Sequence, residues 1–263
     1  MRPRDSLAMA FGICLFLTAC APAPAPQPRT LTVFAAASLT EAFSEIGKDF
    51  ETAHPGVKVL FSFAGSQNLR TQIENGAAAD VFASANSTEM NILIEDKLVQ
   101  EGAAETFVTN QLVVVIPADN PAEIASLKDL AKPGLKIVLA AAEAPAGRYA
   151  RQILGNLNAT LGADYRERVL ANVVSNENDI RQVLAKVQLG EADAGIVYIS
   201  DTLAAPELRR LDIPSEANVD ARYPIAPLAE SENSELATAF IDYVLSPEGQ
   251  ATLRKWGFAP VLP

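Results

Sequence analysis

Short apolar runs alternate with amphipathic stretches along most of this chain. Leu31-Thr32-Val33-Phe34-Ala35-Ala36 reads as a strand that runs straight into a helix start at Ala37-Ser38. Glu41 lies three residues past Ser38, the spacing of a capping box with Ser38 as N-cap. Val57 to Phe63 alternates as a strand; Ala64-Gly65-Ser66-Gln67 follows, then a helical stretch through Glu74 that ends at Asn75-Gly76. Asp80 to Ala85 predicts a third strand and Thr88 to Glu95 a third helix. Three strand–helix units in a row argue for a mostly parallel sheet, whose ligands sit at the carboxyl ends of the strands.

From Phe107 to Pro117 the pattern predicts one long apolar strand. A short helix over Ser126–Ala131, a strand over Lys136–Ala140 and a helix from Pro145 to about Leu161 follow, with Pro at the first turn. Asn178-Asp179-Ile180 opens a helix that Gly190 terminates. Strands are expected over Ala194–Ile199 and Leu208–Ile213, and helices over Ser234–Leu245 and from Ser246-Pro247 to Trp256.

The N-terminus has a different pattern. Arg2 and Arg4 precede an apolar run from Leu7 to Leu17, too short for a membrane span. Leu17-Thr18-Ala19-Cys20 resembles a bacterial lipobox, so residues 1–19 are expected to be a lipoprotein signal peptide and Cys20 a lipidated N-terminus. Residues 20–29 are Pro-rich and form a tether of roughly 25 Å at ~3.1 Å per residue. The protein body is then expected on the outer side of a membrane, held by lipid.

Composition narrows the chemistry. The formal net charge of −11 argues against nucleic acid and against anionic lipid head groups. Cys14 and Cys20 both precede the body, which leaves it without thiol or disulfide chemistry. His54 is the only histidine, in a turn before Pro55-Gly56, which argues against a His-based triad or metal site. Neither Ser38 nor Ser66 lies in a Gly-x-Ser-x-Gly elbow, so a serine hydrolase is disfavoured and the chain is read as no enzyme.

Four helix starts carry small or hydroxyl residues: Ala37-Ser38, Gly65-Ser66, Pro145-Ala146-Gly147 and Asp179-Ile180. Each on its own reads as an ordinary strand–helix turn, with Ser66 as an N-cap. Together with Tyr198 at a strand end they make a set of neutral donors. Such a set suits a fully ionised oxyanion held between two lobes, because preorganised N–H dipoles replace its water shell.

FAAASLT at 34–40, FAGSQNLRTQIENGAAADVFASA at 63–85, LVVVIP at 112–117, EAPAGRYARQIL at 143–154, NENDIRQVLAKVQLGEADAGIVYISD at 176–201 and SPEGQATLRKWGF at 246–258 resemble the periplasmic molybdate-binding protein family of ABC importers. The resemblance runs through residues 30–260 in order. It implies an α/β, two-lobed periplasmic-binding-protein fold, each lobe a mostly parallel sheet flanked by helices. Lobe one would hold 30–107 and 222–263, and lobe two 108–221, with ligand in the cleft. By matching motif, the oxyanion would be bound by Ser38, Ser66, the Ala146 and Ile180 N–H groups, and Tyr198. Molybdate or tungstate would be held through its oxygens, without a direct metal ligand or a resident cofactor. The implied partners are an ABC permease and its ATPase, with the receptor monomeric. Gly65-Ser66 stands where the family also shows Ser-Ser. Sulfate is the main alternative ligand, and ferric iron a weaker one for want of a tyrosine cluster. Glu143, Glu177 and Asp179 lie near enough in sequence to supply an acceptor.

Overall fold

A computed structural model describes residues 29–261. Residues 1–28, which hold the expected signal peptide, Cys20 and most of the expected tether, lie outside the described residues. Arg29, assigned to the tether, opens the first strand.

The strands are β1 (Arg29–Ala36), β2 (Val57–Ala64), β3 (Val81–Ala83), β4 (Glu105–Asn110), β5 (Leu112–Ile116), β6 (Ile137–Ala140), β7 (Val173–Glu177), β8 (Ala194–Tyr198), β9 (Arg209–Asp212) and β10 (Ala221–Pro227). The α-helices are α1 (Thr40–Ala53), α2 (Ser66–Glu74), α3 (Ser87–Glu95), α4 (Pro145–Asn156), α5 (Asn158–Leu161), α6 (Tyr165–Ala171), α7 (Ile180–Gln188), α8 (Ile199–Thr202), α9 (Ser234–Leu245) and α10 (Pro247–Lys255). Short 3-10 turns cover Ala37–Leu39 and Leu127–Ala131.

Two five-stranded sheets divide these strands, in the orders β2-β1-β3-β10-β4 and β7-β6-β8-β5-β9. In the first, β1 runs parallel to β2 and β3, while β10 is antiparallel to both its neighbours. In the second, β6 runs parallel to β7 and β8, while β5 is antiparallel to β8 and β9. Each sheet therefore has one reversed strand, second from an edge, and that strand is the one beside a crossing between lobes.

The crossing corrects two expectations. The apolar run from Phe107 to Pro117 is not one strand: β4 ends at Asn110 in the first sheet, and β5 starts at Leu112 in the second. Residues 108–110, expected in lobe two, therefore complete the first sheet, and Ala221 belongs to it as well. β5 is buried throughout and reads as continuous apolar sequence, whereas β4 is a half-buried edge strand that adds only Phe107 and Val108 to the run, and the switch of partners at Gln111 marks the boundary. Gln111 is held from both sides: its carbonyl accepts from Ile199 N–H, and its amide donates to Asp220 at 2.9 Å. The helix opened by Pro145 also ends earlier than the pattern predicts, at Asn156, and α5 restarts at Asn158.

Parallel pairing sets the level of the functional turns. Ala36 lies opposite Ala64, so the turns leaving β1 and β2 emerge side by side. Ala140 lies opposite Glu177, which does the same for the turns before α4 and α7. The carboxyl ends of both sheets thus face one cleft. Beneath it the first lobe packs an aromatic cluster of Phe43, Phe50, Phe61, Phe107 and Phe240, with ring centroids 5.3–6.2 Å apart where they meet. Among the described residues, no helix is long and apolar enough to cross a membrane.

Candidate functional site

Two helix starts in this cleft break the rules that the sequence suggested for them. Ser38 does not cap α1. It sits in the 3-10 turn, and no side chain caps α1 at Leu39. The capping box of Ser38 with Glu41 is absent because long-range partners take both side chains. Ser38 Oγ is 2.9 Å from the Tyr223 hydroxyl, and Glu41 pairs with Arg181 from the other lobe. Ser66 is likewise the first residue of α2, with Gly65 as the N-cap, and its Oγ accepts from Ala85 N–H at 3.0 Å.

The second lobe follows its sequence more closely. Pro145 is the first residue of α4, as its fixed φ favours. Gly147 is required there, since a Cβ would lie 1.8 Å from the Ala141 carbonyl oxygen. Asp179 caps α7 by accepting from the N–H groups of Arg181 and Gln182. That leaves the N–H of Ile180 outside the cap. As residues of the first helical turn, Ala146 and Ile180 have no intrahelical acceptor for their N–H groups.

These turns enclose a cavity of about 20 Å³ between the lobes. Ala36, Ala37, Ser38, Ala64, Gly65, Ser66 and Ala85 line it from the first lobe. Ala144, Pro145, Ala146, Asp179, Ile180 and Tyr198 line it from the second. All five residues singled out in the sequence are among them, and each is 5 % exposed or less. The volume suits one compact group of a few atoms rather than a sugar or peptide.

The polar side chains that line this cavity are three hydroxyls, of Ser38, Ser66 and Tyr198, and the Asp179 carboxylate. The Tyr198 hydroxyl is buried without a hydrogen-bond partner among the described residues. Burial, and then Tyr223, Tyr149 and Asp201 nearby, hold its pKa well above the ordinary phenol value, so it keeps its proton. Burial raises Tyr223 in the same way.

Of the three carboxylates considered as acceptors, Asp179 and Glu177 have partners in their own lobe and Glu143 lies in a separate groove. Asp179 Oδ1 accepts from its helix, and Oδ2 from the Gln182 amide at 2.7 Å. Glu177 pairs with Lys186 at 2.7 Å and accepts from Ser175. Glu143 lies in a wider groove of about 380 Å³ with Arg70 and Arg148. Among the described residues, no group of three His, Cys, Asp or Glu side chains comes together to hold a metal ion. His54 stacks on Phe50 at 4.0 Å and meets the Phe50 carbonyl, away from the cleft.

Sequence reasoning missed three residues around the cavity. Tyr223 supports Ser38, and its ring packs 5.8 Å from that of Tyr198. Asp201 is fully buried and accepts from Tyr198 N–H at 3.0 Å. Arg181 reaches from α7 to the first lobe. Only the charge of Arg181 beside an expected helix start gave a local signal. Contacts also cross the cleft at its rim. Gln67 Nε2 donates to the Asn178 carbonyl at 2.8 Å, and Arg148 donates to the buried Glu89 at 2.7 Å. Gly65 is part of this approach: a Cβ there would lie 2.5 Å from the Asn178 carbonyl.

The chain matches known proteins along most of its length. It is 40 % identical over 231 residues to the molybdate-binding protein ModA of Mycobacterium tuberculosis, covering 88 % of this chain and 84 % of the relative. A solved structure described as the substrate-binding domain of a putative molybdenum ABC transporter from Clostridium difficile superposes with a TM-score of 0.67. That pair is 33 % identical, over 89 % of this chain and 99 % of the other. The sulfate-binding protein SubI of M. tuberculosis superposes with a TM-score of 0.79 at 20 % identity, over 89 % of this chain and 88 % of that one, and shares the fold. Residues 31–259 match the model of the bacterial extracellular solute-binding proteins, and the chain belongs to that family.

Proposed function

We propose that this chain captures molybdate, and tungstate equally, and delivers it to the permease of an ATP-driven importer. The observation that carries this reading is a buried cavity lined by hydroxyls and helix starts, with the Tyr198 hydroxyl unpartnered and the carboxylates of Asp179 and Glu177 already taken by partners in their own lobe. The reading assigns Ser38 and Ser66 as hydroxyl donors, the Ala146 and Ile180 N–H groups as backbone donors, and Tyr198 as the phenol donor. The molybdate-binding relative at 40 % identity supports the same ligand.

The donor set also explains discrimination. Molybdate, tungstate and sulfate are fully deprotonated at neutral pH and accept from every donor. Phosphate keeps a proton that needs an acceptor. Without one, a buried donor meets a donor, at a cost of ~1–3 kcal/mol or more. Sulfate has the right charge but shorter bonds, so its oxygens fall short of some donors. In this reading the protein is a carrier rather than an enzyme, and it works as a monomer. Cys20 carries the lipid that keeps it near its permease. The lobes divide at Gln111 and again ahead of Ala221, and closure on the anion is a hinge motion about these crossings.

Calorimetric titration at pH 7 with molybdate, tungstate, sulfate and phosphate tests the reading. Tight and similar binding of the first two is expected, with sulfate far weaker and no measurable phosphate binding. Displacement of bound molybdate by equimolar phosphate would show that an acceptor enters the site. Mass spectrometry of the mature N-terminus tests the anchor: an unmodified Cys20, or cleavage elsewhere, rules it out.

A further inference from the structure

We propose that Arg181 is a positioning residue that couples closure of the lobes to assembly of the donor set, and so governs how long a bound oxyanion is retained. The proposal rests on the oxyanion reading of the cavity and adds a residue that does not line it.

Arg181 follows Ile180 in the first turn of α7. Its guanidinium crosses the cleft. One arm pairs with Glu41 in the first turn of α1. Its Nε donates to the Ala37 carbonyl at 3.2 Å, the peptide unit that leads into Ser38. The same Nε lies 3.3 Å from Asp201 Oδ1, at ion-pair distance but without hydrogen-bond geometry. The other oxygen of Asp201 holds Tyr198 N–H. One guanidinium thus stands a single step from three of the five proposed donors: Ile180 by the chain, Ser38 through Ala37, and Tyr198 through Asp201.

Charge explains why a cation is needed beside a site built of neutral donors. Asp201 is fully buried, Glu41 stands at the adjacent helix start, and Asp179 lines the cavity. A dianion brought into that neighbourhood meets three carboxylates. Arg181 is the cation that touches two of them. Its side chain is 23 % exposed, so its charge is only partly screened. Lysine cannot replace it fully, because a single ammonium lacks the planar fork that reaches several acceptors at once.

The partners of Arg181 separate by lobe, which gives a kinetic signature. Asp201 shares its lobe, so that contact survives when the cleft opens. Glu41 and the Ala37 carbonyl belong to the other lobe, so those contacts form only on closure. Capture of an anion by the open form does not use them, whereas release must break them. Loss of the guanidinium should therefore act on the off-rate.

The experiment measures association and dissociation of labelled anion for the wild type, Arg181→Lys, Arg181→Met and Glu41→Gln. Dissociation is followed by chase with unlabelled anion, and the melting temperature is recorded without ligand. Charge-assisted hydrogen bonds of this kind correspond to roughly 10- to 100-fold in rate. The expected result is an off-rate raised by about that factor in Arg181→Met and by a smaller one in Arg181→Lys and Glu41→Gln. Association should stay within about threefold. Glu41→Gln touches neither the cavity nor the second lobe's fold, so its ligand-free melting temperature should match the wild type. A merely structural role would lower that temperature and the active fraction while leaving the off-rate of the folded molecules unchanged. Off-rates of Arg181→Lys and Glu41→Gln within twofold of wild type, or a loss confined to association, overturn the proposal. If wild type binds sulfate and not molybdate, the functional reading fails, and the same ratios measured with sulfate still judge Arg181. Wild type that binds none of the four anions overturns both.

Discussion

The two lobes are built on matching sheets but bring their donors to the cleft in different ways. In the first lobe the hydroxyls already have protein partners: Ser38 meets Tyr223, and Ser66 accepts from Ala85 N–H. In the second, the Tyr198 hydroxyl has no partner among the described residues, and the first turns of two helices line the cavity. The first lobe's two site hydroxyls are therefore satisfied within that lobe, whereas the second carries an unpaired phenol whose natural partner is an anion. A hydroxyl with a protein partner and a hydroxyl without one should respond to deletion in opposite ways when stability and binding are compared.

The largest expected effect is on the helix start of the second lobe. Gly147→Ala forces a methyl group into the Ala140 and Ala141 carbonyls, which are backbone and cannot move aside cheaply. A loss of about 3 kcal/mol or more is expected, read as a fall of many degrees in the ligand-free melt. A melt like wild type would mean that α4 starts less tightly than described.

Asp201 gives the next effect. Burial pushes its carboxyl up to about 6, against the opposing pull of Arg181 and the Tyr198 N–H. An acid raised in the folded state favours folding while protonated. Its contribution is therefore largest near pH 4 and is lost as pH rises to about 7, by up to about 3 kcal/mol. Glu45 and Glu51 have the opposite sign. The Lys255 bond lowers the first and the Val59 N–H lowers the second, so both stabilise above the ordinary carboxylate range. Asp201→Asn removes one titration and leaves the others. The wild-type melting temperature should fall relative to that variant between pH 4 and pH 7, and a constant difference would contradict the assignment.

The two hydroxyls then sharpen the contrast itself. Tyr198→Phe should weaken molybdate binding by roughly 10- to 100-fold. It removes a buried hydroxyl without a protein partner, so the ligand-free protein should melt at the wild-type temperature or above it. Ser38→Ala should weaken binding similarly. It also takes a partner from the buried Tyr223 hydroxyl, so the ligand-free protein should lose about 1 kcal/mol. Ser66→Ala leaves Ala85 N–H without its acceptor and should cost about as much. Equal stability changes for Tyr198→Phe and Ser38→Ala would erase the difference between the lobes.

Much of this was legible in the sequence, and what was missed has physical causes. Periodicity located α2, α3, α7, α9 and α10 to within a residue or two, and the start of α1, because each has a clear apolar face and a Gly, Pro or Asx boundary. It did not see β7, an edge strand whose Val174 is exposed and whose remaining residues are largely polar. It ran β4 and β5 together, since only three residues separate the buried Phe107-Val108 of β4 from the wholly buried β5. At the site, spacing alone marked helix starts, and the resemblance selected four of their residues and Tyr198 at a strand end. The capping box at Ser38 satisfied the local rule and still does not form. Its competitors, Tyr223 and Arg181, are 185 and 140 residues away from the side chains they take. Long-range partners of that kind leave no local trace.

The central claim is that a tetrahedral oxyanion sits between the lobes and is held only by neutral donors. A crystal structure of the molybdate complex, with the metal found by its anomalous scattering, tests it most directly. The account expects one peak in the cavity of Ser38, Ser66, Ala146, Ile180 and Tyr198, with every protein contact made to oxygen. A peak in another cavity, or a carboxylate of Asp179, Glu177 or Glu143 within bonding distance of the anion, would contradict it.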